Sequence, residues 1–252
     1  MLLRRVTKHV KDQNWFAVGI DFIIVVVGVF IGLQVANWND AQASNARETE
    51  LLVELKSEIE SSMRITEQKA VAIGQVVSAG KRSLDFIASD TPCENECWSV
   101  LVDFFHASQW QPLSVNRSTY DEMRRQGLPR SREIVDVMQG YLSQNATLDV
   151  TNLLPAYRTR VRQMIPVEAQ GFYWVNCYDL EDGAETYVLD CPQGISSDLA
   201  AAAVERITKS ADIDLYLTEW TGLMWTTPTD LRVQNETAER ALAAVNAELA
   251  RR

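Results

Sequence analysis

A nearly continuous apolar stretch from Phe16 to Ala36, with a tryptophan on each side at Trp15 and Trp38, constrains this chain more than any other feature. An α-helix rises ~1.5 Å per residue, so roughly 20 apolar residues are needed to cross ~30 Å of hydrocarbon. Indole rings favour the headgroup level of a bilayer, and the two tryptophans therefore fit the two ends of an aromatic belt. The sequence predicts a transmembrane helix over residues 15–38 and a lipid bilayer as a partner.

Charges on the two sides of this stretch predict its orientation. Basic residues beside a span stay on the cytoplasmic side, and the first 14 residues hold four of them against one acid: Arg4, Arg5, Lys8 and Lys11. We therefore expect residues 1–14 to form a cytoplasmic, basic amphipathic segment on the inner leaflet of a bacterial inner membrane. The large C-terminal part is then periplasmic.

The net charge bears on partners. The chain carries −10 at pH 7, and its first 14 residues contribute +3, so the remainder carries −13. Nucleic acid is excluded as a partner on that side, because phosphates require clusters of lysine and arginine.

A cleaved signal peptide is the alternative to an anchor, since Ala41-Gln42-Ala43 resembles a cleavage site. The apolar run of about 21 residues is longer than a signal core of ~7–15, which favours an anchor.

One face of the predicted span carries small and polar residues, which we call the glycine face. Its members recur at spacings of four and three: Asp21, Val25, Gly28, Gly32 and Val35. A G-x-x-x-G pair lets another helix approach closely, and a carboxylate inside the membrane needs a partner. We expect this face to dock another transmembrane helix or a second copy of the chain. Alternatively, the glycines are incidental and Asp21 reaches headgroup water.

A long juxtamembrane helix is predicted over residues 39–90. It has no proline, and its apolar and small residues step by three and four until Asp90-Thr91-Pro92: Leu52, Leu55, Ile59, Ser62, Thr66, Ala70, Ile73, Val77, Gly80, Leu84 and Ile87. This heptad-like stripe is typical of a helical bundle. Such a helix would hold the exported part at a fixed height; the alternative is two helices with a break near Ser44-Asn45.

Residues 91–252 are predicted to form a mainly helical periplasmic domain, so the fold class is mainly α. Ser118 with Asp121 or Glu122 resembles a helix N-cap. Helical patterns cover segments 97–109, 117–126, 131–165, 196–222 and 228–252.

The segment 172–191 departs from the helical pattern. Aromatic and β-branched residues flank Asp182-Gly183, a favoured hairpin turn, which predicts a short β-hairpin with Cys177 and Cys191 on its two arms. Its acids suggest calcium, but their order does not match an EF-hand loop, so a solvated turn is favoured.

Four cysteines, all beyond the apolar stretch, indicate two disulfides in an oxidising compartment. Of the three possible connectivities, Cys93–Cys97 with Cys177–Cys191 is the most local. The alternative for Cys93-x-x-x-Cys97 is redox or copper chemistry with His106 as a third ligand. That arrangement occurs on thioredoxin-like α/β frames, whose pattern is not seen here.

Catalytic motifs are otherwise missing from the sequence: it has no G-x-S-x-G, Walker loop, G-x-G-x-x-G or H-E-x-x-H. We expect no cofactor, no metal and no enzymatic activity, with His106 an ordinary core or surface histidine. Five tryptophans are candidates for lining a ligand cleft, although core packing is the more common role of aromatic residues: Trp98, Trp110, Trp174, Trp220 and Trp225.

The N-terminal segment resembles the signature of an uncharacterised family of bacterial single-pass membrane proteins. The resemblance rests on Asn14-Trp15-Phe16-Ala17-Val18, Ile20-Asp21-Phe22, Val27-Gly28-Val29-Phe30-Ile31-Gly32 and Asn37-Trp38-Asn39. Tyr120-Asp121-Glu122-Met123 with Gly127 is similar to a second, looser motif of that family. The resemblance implies a bacterial inner-membrane location and no particular activity.

Three functions follow as hypotheses. The first is an accessory or scaffold subunit of a larger membrane complex, which uses the glycine face, the basic anchor and the long helix. The second is a periplasmic bundle that senses a ligand among the tryptophans and relays through a membrane partner. The third is a thiol-redox or copper-handling protein with free Cys93 and Cys97.

Overall fold

A computed structural model describes residues 15–148, 155–181 and 184–252 of the 252-residue chain. This part of the chain is mainly helical, with one two-stranded antiparallel sheet. The elements are α1 (Trp15–Ser89), a 3-10 turn (Glu94–Glu96), α2 (Cys97–Ala107), α3 (Ser118–Arg125), α4 (Arg132–Leu148), α5 (Ala156–Met164), α6 (Val167–Asn176), β1 (Tyr178–Glu181), β2 (Ala184–Tyr187), α7 (Ser197–Thr208) and α8 (Ile213–Arg251).

The chain divides into two compact units, Met1–Leu51 and Leu52–Arg252. In the first unit, the large apolar side chains from Phe22 to Trp38 are exposed. Over Phe22–Ser89, α1 is long and apolar enough to cross a membrane by length and composition, with a mean hydropathy of 1.9 in its most apolar window. The alternative of a break near Ser44-Asn45 is wrong, because α1 is one helix and its sequence has no glycine or proline between residues 33 and 73.

The heptad-like stripe of α1 contributes to the core of the second unit. Leu52, Leu55, Ile59, Ser62, Thr66 and Ile73 are buried, and Val76, Ala79 and Ser83 continue the buried side toward Ser89. Helix α2 packs against α1, with the Phe104 ring edge-on to Phe86 at 6.4 Å, and its Leu101 and Phe104 are almost fully buried. Helix α7 packs against α2, and α8 packs against α4 and α5. Burial of one apolar face by neighbouring helices is what stabilises each of these amphipathic segments.

Helix α8 runs antiparallel to α1. The backbone of Gly80 lies against Thr221 near the start of α8, whereas the Asn235 side chain donates to the Met63 carbonyl further along. The predicted separation of segments 196–222 and 228–252 is wrong, because α8 continues through Pro228. Met224 and Leu231 are buried on either side of that proline, so tertiary packing outweighs the loss of one backbone hydrogen bond.

The chain turns instead between α7 and α8, where Asp212 has a positive φ of 64°. Segment 131–165 likewise forms two helices, α4 and α5, with 149–154 outside the described residues.

The N-terminus of α3 differs from the predicted cap. Ser118 is the first helical residue and makes no capping bond of the expected kind. The Asn116 side chain accepts from the Ser118 amide, and the Glu58 carboxylate of α1 accepts from the Thr119 amide at 3.1 Å. A carboxylate from a distant segment therefore satisfies the helix N-terminus.

The predicted hairpin exists but is shorter than expected. Residues 172–176 belong to α6, because Ala169, Tyr173 and Cys177 follow each other at four-residue spacing and are all buried. Strands β1 and β2 pair antiparallel, with Tyr178 opposite Tyr187. Cys177 and Cys191 therefore flank the two strands and do not lie on them. The predicted turn, Asp182-Gly183, is outside the described residues.

Candidate functional site

The glycine face is solvent-exposed over the part that the structure describes. Val25 and Val35 are 63% and 53% exposed. A Cβ added to Gly28 or Gly32 meets nothing within 4 Å. The side chain of Asp21 and residues 1–14, with Arg4, Arg5, Lys8 and Lys11, are outside the described residues, as is the side chain of Trp15. Trp38 is 66% exposed. The described face is therefore an open, nearly flat apolar surface.

Both disulfides have the most local of the three connectivities. Cys93 bonds to Cys97 and Cys177 to Cys191, with Cα–Cα distances of 4.8 and 5.1 Å. The first pair spans a 3-10 turn, which provides the non-helical geometry that such a short link requires. With the two sulfurs joined, Cys93 and Cys97 are not free thiols. Within the described residues, no group of three or more His, Cys, Asp and Glu is arranged to hold a metal ion.

A groove of about 740 Å³ lies beside the Cys93–Cys97 disulfide, between the end of α1 and α7. Its apolar wall includes Phe86 and Ile87 of α1 and Ala201 and Val204 of α7. Its charged lining side chains are four acids and one lysine: Asp90, Glu94, Asp198, Glu205 and Lys209. We call this surface the acidic groove. Sequence reasoning missed it because its two walls are more than a hundred residues apart in the chain.

Two glutamine side chains cover the outer edge of strand β2. Gln111 donates to the Glu185 carbonyl at 2.9 Å and accepts from the Glu185 amide at 3.1 Å. Gln75 of α1 makes the same pair of bonds with Tyr187, at 3.0 and 3.2 Å. An amide side chain has one acceptor and one donor at its tip, so each glutamine replaces one residue of a third strand. The hairpin is thereby attached to α1 and to the segment after α2, and its edge is covered.

Two arginines of α5 attach that helix to the end of α2. Arg162 donates to the Ser108 hydroxyl at 3.0 Å and to Gln109 Oε1 at 2.9 Å, and Arg158 donates to the Ser108 carbonyl at 2.8 Å. The Arg162 guanidinium also lies 4.5 Å from the centre of the Phe105 ring. Burial, reinforced by the charge of Arg158, lowers the pKa of Arg162 to about 10, so it remains charged at neutral pH. These contacts form a network of buried polar groups that joins α5 to the end of α2 and has a structural role.

His106 is a core residue. It is 1% exposed, and its ring stands edge-on to Tyr173 and Tyr187 at 5.2 and 5.3 Å. Burial, with a smaller contribution from the charge of Arg82, lowers the pKa of His106 to about 4. The imidazole is therefore neutral at physiological pH. The expectation of an ordinary core or surface histidine is confirmed for the core.

Lys69, which is buried, and Glu185, which is half-buried, are two charged side chains that influence each other's pKa and that the sequence reasoning missed. The Lys69 ammonium donates to the Pro112 carbonyl, and burial lowers its pKa although Glu185 acts in the opposite direction. Burial raises the pKa of the Glu185 carboxyl, which accepts from the Tyr187 hydroxyl at 3.3 Å. The burial of Lys69 could have been predicted from the sequence, because Lys69 lies three residues after Thr66 on the same side of α1 as the heptad-like stripe.

Four of the five tryptophans have packing roles, and Trp225 is exposed. Trp98 and Trp220 are buried and donate to the carbonyls of Cys191 and Ala107. Trp110 packs against Trp220, and Trp174 contacts Phe105 and Tyr178 edge-on. Trp225 is 56% exposed, with the Lys81 ammonium 4.4 Å above its ring.

The chain matches no family model, no curated protein and no solved structure.

Proposed function

We propose that this protein is a non-enzymatic, single-pass protein of a bacterial inner membrane that acts as an accessory or scaffold subunit of a larger membrane complex. Its N-terminus is cytoplasmic and its second unit is periplasmic in this proposal. The observation that carries the proposal is the glycine face, where the space beside Gly28 and Gly32 is empty and another helix can pack closely against the backbone. The resemblance of the N-terminal segment to uncharacterised single-pass membrane proteins belongs to the same proposal.

Helix association in a bilayer depends on close packing, because lipid tails are as apolar as the side chains that they contact. Two glycines one turn apart remove the side chains that keep helix backbones separate. The flanking residues Val25 and Val35 are β-branched, so their side chains lose little rotamer freedom when a second helix packs against them. This surface therefore fits another transmembrane helix, either of a different subunit or of a second copy.

The periplasmic placement of the second unit rests on chemistry that is independent of the glycine face. Disulfides persist in oxidising compartments, and both pairs of cysteines follow the apolar stretch. The basic residues before the stretch and the acid-rich chain after it support the same orientation. The proposal includes no nucleic acid, cofactor or resident metal.

The experiment is gentle detergent extraction of the native membrane, followed by native-gel separation and mass spectrometry of the band that holds this chain. We expect co-migration with a stoichiometric larger assembly. The variant Gly28→Ile/Gly32→Ile should migrate apart from it, because two branched side chains then cover the contact face.

The matched control is Gly19→Ile. Gly19 is nine residues before Gly28, half a turn out of phase at 100° per residue, so it lies on the opposite side of the helix. A Cβ at Gly19 also meets nothing within 4 Å. Migration of the wild-type chain alone as a monomer would refute the proposal, as would loss of the assembly in the Gly19 variant to the same extent.

A further inference from the structure

We propose that the acidic groove is a docking site for a basic segment with an apolar face, contributed by a partner protein on the same side of the membrane. This is a second contact surface, in addition to the glycine face. It rests on the proposed function only in placing the second unit among exported proteins. A partner that binds here would be held by the folded unit and not by the membrane helix.

The size and composition of the groove fit side chains of a peptide segment. Its volume of about 740 Å³ lies within the roughly 300–1,000 Å³ of small-molecule and side-chain pockets. Phe86 and Ile87 are only partly buried although they adjoin the core, and Val204 lies behind them on the α7 side. Apolar side chains of a partner that covered Phe86 and Ile87 would remove their remaining exposed surface from water.

The net negative charge of the groove lining favours a partner with positively charged side chains. Four carboxylates line the groove against one ammonium, that of Lys209, which is already bonded to Glu205. Among the described residues, no ion pair engages Asp90, Glu94 or Asp198. Asp198 is in the first turn of α7, where the helix dipole stabilises it. Asp90 and Glu94 are exposed and pair with no cation among the described residues, so a lysine or arginine of a partner can approach both carboxylates.

The rim is held in place before any partner binds. Asp90 and Glu94 have positive φ angles of 50° and 44°, a conformation that costs non-glycine residues energy. The disulfide between Cys93 and Cys97 closes the turn that contains Glu94 and begins three residues after Asp90. A rim ordered in advance loses less conformational entropy on binding, which favours affinity.

Two other occupants fit the groove less well. A second copy of the chain would bring a surface of the same sign, since the net charge is −10. A metal ion needs a converging set of ligands, and the described residues contain no group of three or more His, Cys, Asp and Glu that is arranged for one.

The test uses the full chain in zwitterionic detergent micelles and three labelled peptides of equal length. One alternates lysine and leucine at helical spacing, the second replaces each lysine by glutamate, and the third replaces each leucine by serine. Fluorescence anisotropy measures the Kd, with protein-free micelles as the blank. We expect measurable binding of the lysine–leucine peptide, and at least about tenfold weaker binding of the other two.

Groove variants locate the binding. Asp90→Asn/Glu94→Gln removes two charges with little change of shape and should raise the Kd about tenfold. Ala202→Arg, at an exposed position of the lining, should do the same by filling the groove with a cation. The control Asp214→Asn/Glu219→Gln removes two exposed acids of α8 outside the groove lining and should leave the Kd unchanged.

Three results would overturn the proposal. They are equal binding of the glutamate peptide, an unchanged Kd in the groove variants, and an equal loss in the control, which would indicate attraction to acidic surface in general. The Gly28→Ile/Gly32→Ile variant should bind the peptide like the wild type. Failure of the membrane-helix contact and failure of the groove are therefore distinguishable.

Discussion

Replacement of Gly80 by alanine tests the close approach of α1 and α8. A Cβ at this position would lie 2.4 Å from Thr221 Oγ1 and 3.1 Å from Thr221 Cγ2. Thr221 is 5% exposed and β-branched on a helix, so its side chain has little freedom to move away. Overpacking of this kind costs ~1–3 kcal/mol, against a gain of ~1 kcal/mol for alanine over glycine in a helix interior.

Gly74 provides the matched control on the same helix. A Cβ at Gly74 meets nothing within 4 Å, so Gly74→Ala should show the helix-propensity gain of ~1 kcal/mol alone. The free energies of unfolding of the two variants should therefore differ by ~1–3 kcal/mol. For a unit of this size, that difference corresponds to roughly 2–12 °C in Tm. Far-UV circular dichroism of the full chain in detergent measures it.

A second substitution identifies the cause. Thr221→Ala removes the two atoms nearest to the added Cβ, and Thr221 Oγ1 has no hydrogen-bond partner among the described residues, so the single change should cost little. The double variant Gly80→Ala/Thr221→Ala should recover most of the stability lost in Gly80→Ala. The reasoning is refuted if Gly80→Ala melts as high as Gly74→Ala, or if removal of the threonine side chain gives no recovery.

Three further predictions concern the hairpin and the core. Gln111→Leu removes both side-chain hydrogen bonds to the backbone of Glu185 and leaves those backbone groups unpaired, which costs ~2–4 kcal/mol. The Glu185 amide should therefore exchange its hydrogen at least about tenfold faster, as measured by mass spectrometry, and an unchanged rate would contradict the edge-covering role. His106 has a pKa of about 4 in the folded protein and ~6.5 in the unfolded chain, so its contribution to the free energy of unfolding is constant above pH 6.5. As the pH drops toward 4, only the unfolded chain takes up the proton, and the free energy of unfolding falls by about 3 kcal/mol. Denaturation curves of His106→Phe should lack that part of the pH dependence. Replacing Cys177 and Cys191 together by alanine should lower the free energy of unfolding by ~3 kcal/mol, as expected for a link across 14 residues; an equal midpoint with and without the bond would show that the hairpin is held by its glutamines alone.

Helix formation was predictable wherever local signals agree. The stripe from Leu52 to Ile73 has a helical period and is buried as expected, and α1 ends at Ser89, just before the predicted stop. Local signals misled where tertiary packing opposed them. Pro228 predicted a break, but the buried residues on both sides of it hold α8 together. Aromatic and β-branched residues after 172 predicted a strand, yet helical spacing of the buried Tyr173 placed them in α6.

The candidate sites divide in the same way. The glycine face is a property of one helix, so a spacing rule finds its members from the sequence. The acidic groove joins Asp90 and Glu94 to Asp198 and Glu205, and no local pattern links residues so far apart. The Glu58 carboxylate that satisfies the start of α3 is hidden for the same reason, since it comes from another helix.

The sequence by itself determined the apolar helix and the mainly helical class, because each depends on residues within a few turns of one another. It favoured the most local pairing of the cysteines but left the other two connectivities open, and the structure shows the local one. Only the tertiary structure decided the antiparallel contact at Gly80, the attachment of the hairpin by Gln75 and Gln111, and the neutral state of His106. These features depend on which surfaces of distant segments meet, and burial then sets the hydrogen bonds and the pKa of the groups enclosed there.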